Sequence, residues 1–425
     1  MVNLCVRVPS VLLKFMAAFR DVFSVPLFKT FAFYVAALMY ERKRTNIQTV
    51  WADVPVRSYD QFQYMLSRAK WDYQEVNRVR VQKLQSDPRT RSSSRGCLAI
   101  DDTANPKSKS CKSTEGVAKQ YCAVTDDIRP CHSVVFSAYC DEAKRWPVNF
   151  RPYRPAETLL RGQDDPDFKS KLTLACDLID EALALGIQFS DVLFDNWYFK
   201  SQVIQHAEAR NLTWISEAAV DTIFFYKGKR LRAEQLVELV PPHEFKEEVT
   251  LTSPSGKERR LSLAVLDLRV RMLKAKYRVV IAKGPYLTDD PDEWHVYVTN
   301  HRVLSGPDIV CRWGLRWGVE EIFRELKDTL GFDQYQVRSL KAACRHWELA
   351  CVAHSFLVYA KQLGVFHKET PDIIGTLGDV AFIFRNLAML ESRSWLVEHR
   401  EQYKVHTSKV YVARNPRKPR AKRAA

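Results

Sequence analysis

Three acidic residues in this chain lie where folding could bring their carboxylates together. Asp102 follows the apolar run Cys97-Leu-Ala-Ile100, and Asp195 follows a second one, Val192-Leu-Phe194. Each run predicts a short buried strand that ends at an aspartate, while Glu320 lies in a segment with helical periodicity. Mg²⁺ prefers oxygen ligands such as carboxylates. Two such ions can activate the attacking oxygen and stabilise the leaving oxygen in phosphoryl transfer.

Residues 313–327 predict a helix with two different faces. At about 100° per residue, the polar and aromatic residues of one stripe are Trp313, Arg316, Glu320, Arg324 and Lys327. The apolar residues of the opposite side are Leu315, Val319, Ile322, Phe323, Leu326 and Leu330. The polar stripe suits phosphate binding beside a metal-binding acid. The alternative is a surface helix whose charged side chains pair four residues apart.

Composition restricts the class of protein. A chain of 425 residues with 46% hydrophobic and 12% aromatic residues predicts a folded protein of two or three domains. Its net charge of +15 favours a polyanionic partner, nucleic acid first and an anionic membrane surface second. The ten cysteines include no C-x-x-C pair, which argues against a zinc or redox motif and favours a reducing cytosol.

The most apolar stretch, residues 22–40, is interrupted by Pro26 and Lys29. Its uninterrupted part is too short to span a bilayer, and no basic start with a cleavage site indicates a signal peptide. We therefore expect a cytoplasmic protein with no membrane partner.

The pattern of apolar, charged and turn-forming residues predicts five segments. Residues 1–95 predict a helical N-terminal DNA-binding domain, because basic residues are interleaved with aromatic ones; a solvated basic face is the alternative. Residues 96–219 predict three strands, a helix, a strand, a helix and a strand, which is the order of a ribonuclease H-like core. Residues 220–306 predict a β-rich insertion, 307–365 the second part of the core, and 366–425 a C-terminal helical segment with a basic tail.

The individual elements follow from periodicity and from turn residues. Helices are predicted over 12–23, 27–40, 59–84, 168–185, 200–209, 313–327, 346–363 and 374–397. Strands are predicted over 97–101, 132–140, 146–153, 191–195, 212–216, 247–252, 260–271, 277–282 and 295–299. The predicted fold class is α/β: a ribonuclease H-like mixed sheet core with a β-rich insertion, preceded by an α-helical N-terminal domain.

The segment 313–327 also resembles a known signature. It reads W-x2-R-x3-E-x6-K at Trp313, Arg316, Glu320 and Lys327. This is similar to the Y-x2-R-x3-E-x6-K signature of bacterial insertion-sequence transposases of the DDE superfamily. Tryptophan replaces the signature tyrosine at position 313 and has no hydroxyl to offer a phosphate.

Two further blocks carry the same resemblance, which covers residues 95–360. Residues 101–103 (Asp-Asp-Thr), with Lys107 and residues 116–121, resemble the block around the first aspartate of that family. Residues 193–195 (Leu-Phe-Asp) resemble the block around the second. The family pattern places the metal ligand directly before the threonine, so it selects Asp102. Alternation along a strand predicts that the side chain of Asp101 points the other way.

The resemblance implies a DNA transposase that cleaves transposon ends and transfers strands into target DNA by a cut-and-paste route. It assigns catalysis and metal binding to Asp102, Asp195 and Glu320, with two Mg²⁺ ions or Mn²⁺ as a substitute. The DNA contacts that it implies are Trp294, Trp313, Arg316, Arg324, Lys327 and Lys107. In relatives that form a DNA hairpin, an aromatic near Trp294 stacks on a flipped base; the alternative is a core or sheet-edge tryptophan.

The implied partners are double-stranded DNA, both as terminal inverted repeats and as target, and a second copy of the chain in a homodimer. The implied location is the bacterial cytoplasm, in association with the nucleoid. Two other functions stay open at the level of sequence. One is a catalytically inactive, domesticated DNA-binding relative, and the other is a ribonuclease H-like nuclease that does not join strands.

Overall fold

The structure, a computed structural model, describes residues 5–40, 45–111, 113–252, 256–273, 275–366, 375–399, 401 and 405. The basic tail predicted from Thr407 onwards lies outside the described residues. The chain divides into two compact units. The first is formed by residues 1–91, 105–131 and 322–425, and the second by residues 92–104 and 132–321. Among the described helices, none has the length and apolar character needed to cross a bilayer.

The described residues form twelve α-helices. They are α1 Ser10–Met16, α2 Val25–Leu38, α3 Ile47–Asp53, α4 Tyr59–Ser67, α5 Tyr73–Gln85, α6 Lys171–Ala184, α7 Ser201–Glu208, α8 Ala233–Leu239, α9 Gly306–Gly314, α10 Trp317–Arg324, α11 Leu340–Gln362 and α12 Leu377–Glu398. Short 3₁₀ turns span Ala17–Val22, Ala156–Thr158, Gly162–Asp164 and Pro242–Glu244, and a π-helical turn spans Glu325–Thr329.

The described residues also form twelve strands. They are β1 Cys97–Pro106, β2 Ala118–Cys122, β3 Asp127–Cys140, β4 Arg145–Tyr153, β5 Asp191–Phe194, β6 Thr213–Glu217, β7 Ile223–Tyr226, β8 Lys229–Arg232, β9 Phe245–Thr252, β10 Glu258–Val270, β11 Lys276–Lys283 and β12 Trp294–Thr299. The protein is therefore a mixed α/β structure, as the sequence predicts.

The first unit is organised around α11, which is buried along most of its length and packs against α2, α4, α5 and α12. Arg345 of α11 donates hydrogen bonds to the carbonyls of Met65, Leu66 and Ala69, where α4 ends. These bonds satisfy carbonyls that the helix itself leaves without partners. Arg80 of α5 forms an ion pair at 3.0 Å with Glu348, and both side chains are fully buried. The N-terminal helices and α11 thus share one core.

The second unit is built on a sheet with the order β4-β3-β1-β5-β6-β12-β11-β10. Its centre is parallel, because β1 pairs with β5 and β5 with β6 in the same direction. From β6 onwards the neighbouring strands β12, β11 and β10 are antiparallel, and β9 and β7 both pair with β10. The ladder between β1 and β5 ends at Ile100 and Phe194. Strand β5 stops there, whereas β1 continues to Pro106, so Asp101 and Asp102 lie in the middle of β1 and not at its end, where the sequence predicts them.

Two predicted helices are wrong in detail. The predicted helix 59–84 is two helices, α4 and α5, and α5 begins where the Asp72 side chain accepts a hydrogen bond from the N–H of Gln74 at 3.0 Å. The predicted helix 313–327 is interrupted between α9 and α10 and ends in the π-helical turn. At the interruption, hydrogen bonds span three residues, from Arg316 N–H to Trp313 and from Gly318 N–H to Leu315. Such tighter turns are easier to form beside glycine, which restricts the backbone least.

Candidate active site

The register between β1 and β5 brings two aspartates side by side. Ile100 pairs with Phe194 in the parallel ladder, so Asp101 and Asp195, one position further, are neighbours. Paired residues of adjacent parallel strands project from the same face of the sheet. The backbone N–H groups of Trp197 and Tyr198 donate hydrogen bonds to Asp195 Oδ1 at 3.1 and 3.2 Å. These bonds fix the carboxylate of Asp195 at the turn that follows β5.

Arg316 joins two carboxylates of the predicted site. Its Nη1 atom donates to Asp101 Oδ2 at 2.8 Å and lies 3.6 Å from Glu320 Oε1. The guanidinium group also lies over the ring of Trp313, 5.2 Å from its centroid. The structure therefore brings Asp101, Asp195 and Glu320 to the same neighbourhood, with one arginine between two of them.

Asp102 has a different set of partners. Its Oδ2 atom accepts hydrogen bonds from Lys171 Nζ at 2.7 Å and from the Ser133 hydroxyl at 3.2 Å. Its Oδ1 atom accepts from the Tyr198 hydroxyl at 2.9 Å. Sequence alternation correctly predicts that Asp101 and Asp102 diverge. The expectation that Asp101 turns away from the site is wrong, because Asp101 contacts Arg316 and is the strand neighbour of Asp195.

The electrostatics of the site favour an added cation. Burial raises the pKa of the Asp101 carboxyl well above its usual range, and the negative charges of Asp195 and Glu320 raise it further, while Arg316 lowers it. Burial, and to a smaller extent the negative charge of Asp102, raise the pKa of Asp195, although the backbone N–H of Tyr198 and the charge of Arg316 act against this shift. Carboxylates with raised pKa values hold negative charge that the protein compensates only in part.

The oxygen donors of this cluster fit Mg²⁺ or Mn²⁺ in chemical type. Within the described part of the chain, however, no three His, Cys, Asp or Glu side chains are already spaced to hold one metal ion. Arg316 and Lys171 instead hold Asp101 and Asp102. The carboxylates therefore fit a hard divalent cation. Such an ion would take over part of the positive charge that Arg316 and Lys171 now supply to the two aspartates.

Trp313 does not lie on an exposed stripe as the helical pattern predicts. The residue is only 5% exposed, and its ring packs against Tyr297 with 5.6 Å between the centroids. The helix is interrupted between Gly314 and Trp317, so the predicted stripe does not run along one continuous helix. The face of the Trp313 ring contacts the guanidinium group of Arg316.

The other predicted DNA contacts differ in burial and belong to both units. Trp294 begins β12 and is half-buried. In the first unit, Arg324 ends α10 and is exposed, while Lys327 lies half-buried in the π-helical turn. Their predicted roles in DNA binding stay predictions.

Lys107, also in the first unit, is held by protein groups. Its ammonium donates to the carbonyls of Asp333 at 3.2 Å and Tyr335 at 3.4 Å, and lies 3.3 Å from the centroid of the Tyr335 ring. Burial lowers the pKa of Lys107 to about 8. These contacts fasten the segment after β1 to the segment before α11.

Sequence reasoning missed two groups of residues in the second unit. Lys171 and Tyr198 contact Asp102, and only the position of Tyr198, three residues after Asp195, offers a signal in the sequence. His295, next to Trp294, lies between two carboxylates. Its Nδ1 atom is 2.6 Å from Glu217 Oε1, and its Nε2 atom is 2.9 Å from Glu293 Oε1.

The acidic cluster lies where a parallel strand ladder ends, beside Arg316 and the helix that carries Glu320. Such a cluster of carboxylates is typical of metal-dependent phosphoryl-transfer enzymes. Comparison with family models agrees. The model of the DDE superfamily endonucleases matches residues 20–252, and that of the transposase DDE domain matches residues 163–356. The first match covers more than half of the chain, which therefore belongs to the DDE superfamily endonucleases. This family implies nuclease activity on DNA and a transposase function. A search of curated proteins found no match.

Proposed function

We propose that this protein is a cut-and-paste DNA transposase of a bacterial insertion sequence. It would cleave DNA at the ends of its element and join the freed 3′ ends to target DNA. The observation that supports the proposal is that Asp101, Asp195, Arg316 and Glu320 lie close together where the parallel ladder between β1 and β5 ends. The family membership supplies the class of substrate, and the site supplies the groups that this chemistry needs.

A ribonuclease H-like core is part of this proposal. The strand order β4-β3-β1-β5-β6, with β1, β5 and β6 parallel, supports it. The sequence predicts three strands before the first helix of this region, whereas the structure has four, β1 to β4, because the sequence does not predict β2. The helix, strand, helix and strand that follow are α6, β5, α7 and β6. The antiparallel strands β9 to β12 would then be the β-rich insertion that lies in the chain before α10.

Asp195, Glu320 and one aspartate of the Asp101–Asp102 pair would hold two Mg²⁺ or Mn²⁺ ions; the family pattern alone selects Asp102. When bound, the ions would supply the positive charge that activates the attacking oxygen and stabilises the leaving oxygen. The protein's own groups would position the phosphate and the metal ligands. Arg316, released in part from Asp101, would orient a phosphate, and the two N–H groups that hold Asp195 would keep its carboxylate in place.

The positively charged chain would bind double-stranded DNA, both the terminal inverted repeats and the target. Trp294, Arg324, Lys327 and Lys107 are the further contacts that we propose, with Trp294 stacking on a base. The helices before residue 95 would read the repeats. A homodimer would hold two element ends together, and the active protein would be associated with the nucleoid.

The test is end cleavage by the full-length protein. A labelled duplex that carries the DNA flanking the gene is incubated with Mg²⁺ or Mn²⁺, beside a duplex with the same composition in scrambled order. The matched variants are Glu320→Gln, which keeps the size of the side chain but removes its charge, and Glu321→Gln, the adjacent glutamate. We expect metal-dependent nicking at the end with wild type and Glu321→Gln, and none with Glu320→Gln.

Binding of the flanking duplex without cleavage under either metal would contradict the proposal and indicate an inactive DNA-binding relative. Equal cleavage of the scrambled duplex would indicate a general nuclease. A second duplex, offered as target, tests strand transfer in the same reaction. The dimer is tested by the mass of the complex that forms on paired ends.

A further inference from the structure

The first unit contains a cavity of about 460 Å³ among its N-terminal elements, which we call the N-terminal cavity. It lies between the segment before α1, helix α1, the 3₁₀ turn after α1 and helix α2. Its buried lining residues are Val6, Val8, Phe23 and Ala32. Small-molecule sites in proteins usually enclose about 300–1,000 Å³ and are mostly apolar. The N-terminal cavity therefore has the size and the lining of a ligand site.

Helix α2 is apolar on two sides. On one side Tyr34 faces α11, where its hydroxyl lies 2.9 Å from His346 Nδ1. On the other side Val25, Phe28 and Ala32 line the N-terminal cavity. A helix that is apolar all round is normally buried all round. The cavity side of α2 therefore has the composition of a surface that a ligand covers.

Cations surround the mouth of the N-terminal cavity. Arg7, Arg20 and Lys29 belong to its lining and have exposed side chains, whereas the described lining residues include no Asp or Glu. Within the part of the chain that the structure describes, none of the three forms an ion pair. The guanidinium of Arg20 lies 5.8 Å from the centroid of the Phe28 ring, which also lines the cavity. The mouth of the cavity therefore attracts an anion.

A further cation, Arg57, lies beside the wall of the cavity. Its guanidinium carbon is 5.6 Å from the centroid of the Phe33 ring, and Phe33 lines the cavity. The Nε atom of Arg57 is buried and has no hydrogen-bond partner among the described residues. Burial also lowers the pKa of Arg57. A buried donor without an acceptor is unfavourable, so an anion bound here would supply what Arg57 lacks.

We propose that the N-terminal cavity binds a fatty acid, with the alkyl chain against the apolar lining and the carboxylate among the cations at the mouth. Guanidinium groups hold carboxylates by paired hydrogen bonds, and a lysine adds a point charge. An anionic membrane surface fits less well, because it needs an apolar face that projects into lipid. Of the large apolar lining residues, only Leu13 and Val25 are exposed. This inference goes beyond the proposed function and does not depend on it.

The test measures binding of decanoate to the full-length protein by isothermal titration calorimetry, below the concentration at which decanoate forms micelles. We expect decanoate to bind and shorter carboxylates to bind about fourfold more weakly for each methylene removed. Butyrate has the charge but almost no chain, so it should not bind detectably. Decan-1-ol has the chain without the charge and should bind about 5–25-fold more weakly than decanoate.

Charge variants place the carboxylate at the mouth of the cavity. Arg20→Gln and Lys29→Gln should each weaken decanoate binding about two- to fivefold, the usual effect of an exposed ion pair. Arg57→Gln removes a less exposed cation and should weaken it about tenfold. Lys14→Gln is the matched control, because Lys14 is an exposed cation of α1 that does not line the cavity. Its decanoate affinity should equal that of the wild type.

A pair of substitutions at Val25 tests the sign of the charge without touching the core. This lining residue is 71% exposed, so both variants should fold. Val25→Glu should weaken decanoate binding, and Val25→Lys should keep or strengthen it. Because a ligand that binds only the folded state stabilises it, decanoate should raise the Tm of the wild type and of Val25→Lys more than that of Val25→Glu.

Several results would overturn the inference. They are no binding of decanoate, equal binding of decanoate and decan-1-ol, and an equal loss of affinity in Lys14→Gln and Lys29→Gln. Binding to phosphatidylglycerol vesicles without binding of decanoate would instead indicate a membrane surface. Weaker binding of a DNA duplex by Lys29→Gln, with decanoate binding unchanged, would assign these cations to DNA. None of these results bears on end cleavage, which tests the proposed function separately.

Discussion

Arg316 is the residue on which the charge balance of the site depends. Its guanidinium contacts Asp101 at 2.8 Å and Glu320 at 3.6 Å, and its charge opposes the rise in the pKa of both Asp101 and Asp195. Replacing it by glutamine removes the positive charge and keeps a hydrogen-bond donor. The result should be a site with stronger mutual repulsion and no fixed cation for a phosphate.

We therefore expect Arg316→Gln to slow end cleavage about 100-fold, the usual effect of losing one preorganised group that stabilises developing charge. Arg316→Lys should recover part of the rate, because an ammonium carries the charge but not the forked geometry of arginine. Single-turnover nicking rates measure both variants. A wild-type rate in Arg316→Gln would show that the arginine serves only the fold.

His295 makes the stability of the second unit depend on pH. Burial opposes a charge on its imidazole, but hydrogen bonds and the charges of Glu217 and Glu293 outweigh burial and raise the pKa of His295 above its ordinary 6.5. A base whose pKa is higher in the folded state stabilises that state fully below its unfolded pKa. The stabilisation is lost as the pH rises through the folded pKa.

The free energy of unfolding of the wild type should thus decrease by about 1.5–3 kcal/mol, the value of hydrogen bonds to charged groups, as the pH rises from 6.5 through the raised pKa. His295→Gln should be less stable at the low end and should lack this part of the slope. Urea unfolding at a series of pH values measures it. Parallel curves for both proteins would mean that the two carboxylates do not hold a protonated imidazole.

The choice between Asp101 and Asp102 marks a limit of sequence reasoning at this scale. Alternation along β1 predicts that the two side chains diverge, and the structure agrees. Which of them faces the site depends on the register with β5, whose residues follow about ninety positions later in the chain. Lys171 was beyond prediction for the same reason, since its pairing with Asp102 depends on where α6 begins.

At the scale of elements, α10 reaches its place because residue 318 is a glycine. A Cβ atom at Gly318 would lie 2.7 Å from Cys140 Sγ and 3.1 Å from Cys140 Cβ, at the end of β3. Helix α10 therefore approaches the sheet more closely than alanine allows, and Glu320 lies two residues further along the same helix.

Gly318→Ala should destabilise the protein by roughly 1–3 kcal/mol, as overpacking usually does, partly offset by the higher helix propensity of alanine. Nicking should fall because the helix that carries Glu320 moves. Adding Cys140→Ala removes the sulfur and should recover most of both losses. Gly314→Ala is the matched control, since a Cβ there meets no atom within 4 Å; an equal loss in this control would refute the packing explanation.

Most elements of the second unit could be predicted because their signals are local. The apolar runs of β5 and β6 and the helical period of α6 are complete within a few residues, and the structure places these elements close to the predicted ranges. Strand β1 begins where predicted but continues to Pro106 instead of ending at residue 101. The break between α9 and α10 could not be predicted, since the apolar period continues across it. Strands β7 and β8, of four residues each, are too short for a period to show.

For the whole molecule, the net charge of +15 predicts binding to DNA that weakens steeply with salt. Each phosphate contact releases counterions and adds about −0.9 to the slope of log K against log salt. The tail contributes cations at Lys409, Arg414, Arg417, Lys418, Arg420, Lys422 and Arg423. A chain that ends at residue 405 should bind the same duplex with a shallower slope.

Fluorescence anisotropy at several salt concentrations measures this slope for the full and the shortened chain. A scrambled duplex separates the general electrostatic attraction from recognition of the element end, because the slope should change equally on both. An unchanged slope would mean that the tail cations stay in solvent rather than on phosphates.

The first unit takes its helices from both ends of the chain, which constrains the order of events during protein synthesis. Helices α2, α4 and α5 cover their apolar faces with α11, yet the ribosome makes residue 340 long after residue 85. At roughly 5–20 residues per second this delay is on the order of 10–50 s. During that time the N-terminal helices contact one another but lack α11, and Arg80 lacks its ion-pair partner Glu348. A nascent chain therefore completes its first-unit core only after α11 has been made. A chain truncated before residue 340 exposes the apolar faces that α11 covers, and chaperones and proteases will recognise it.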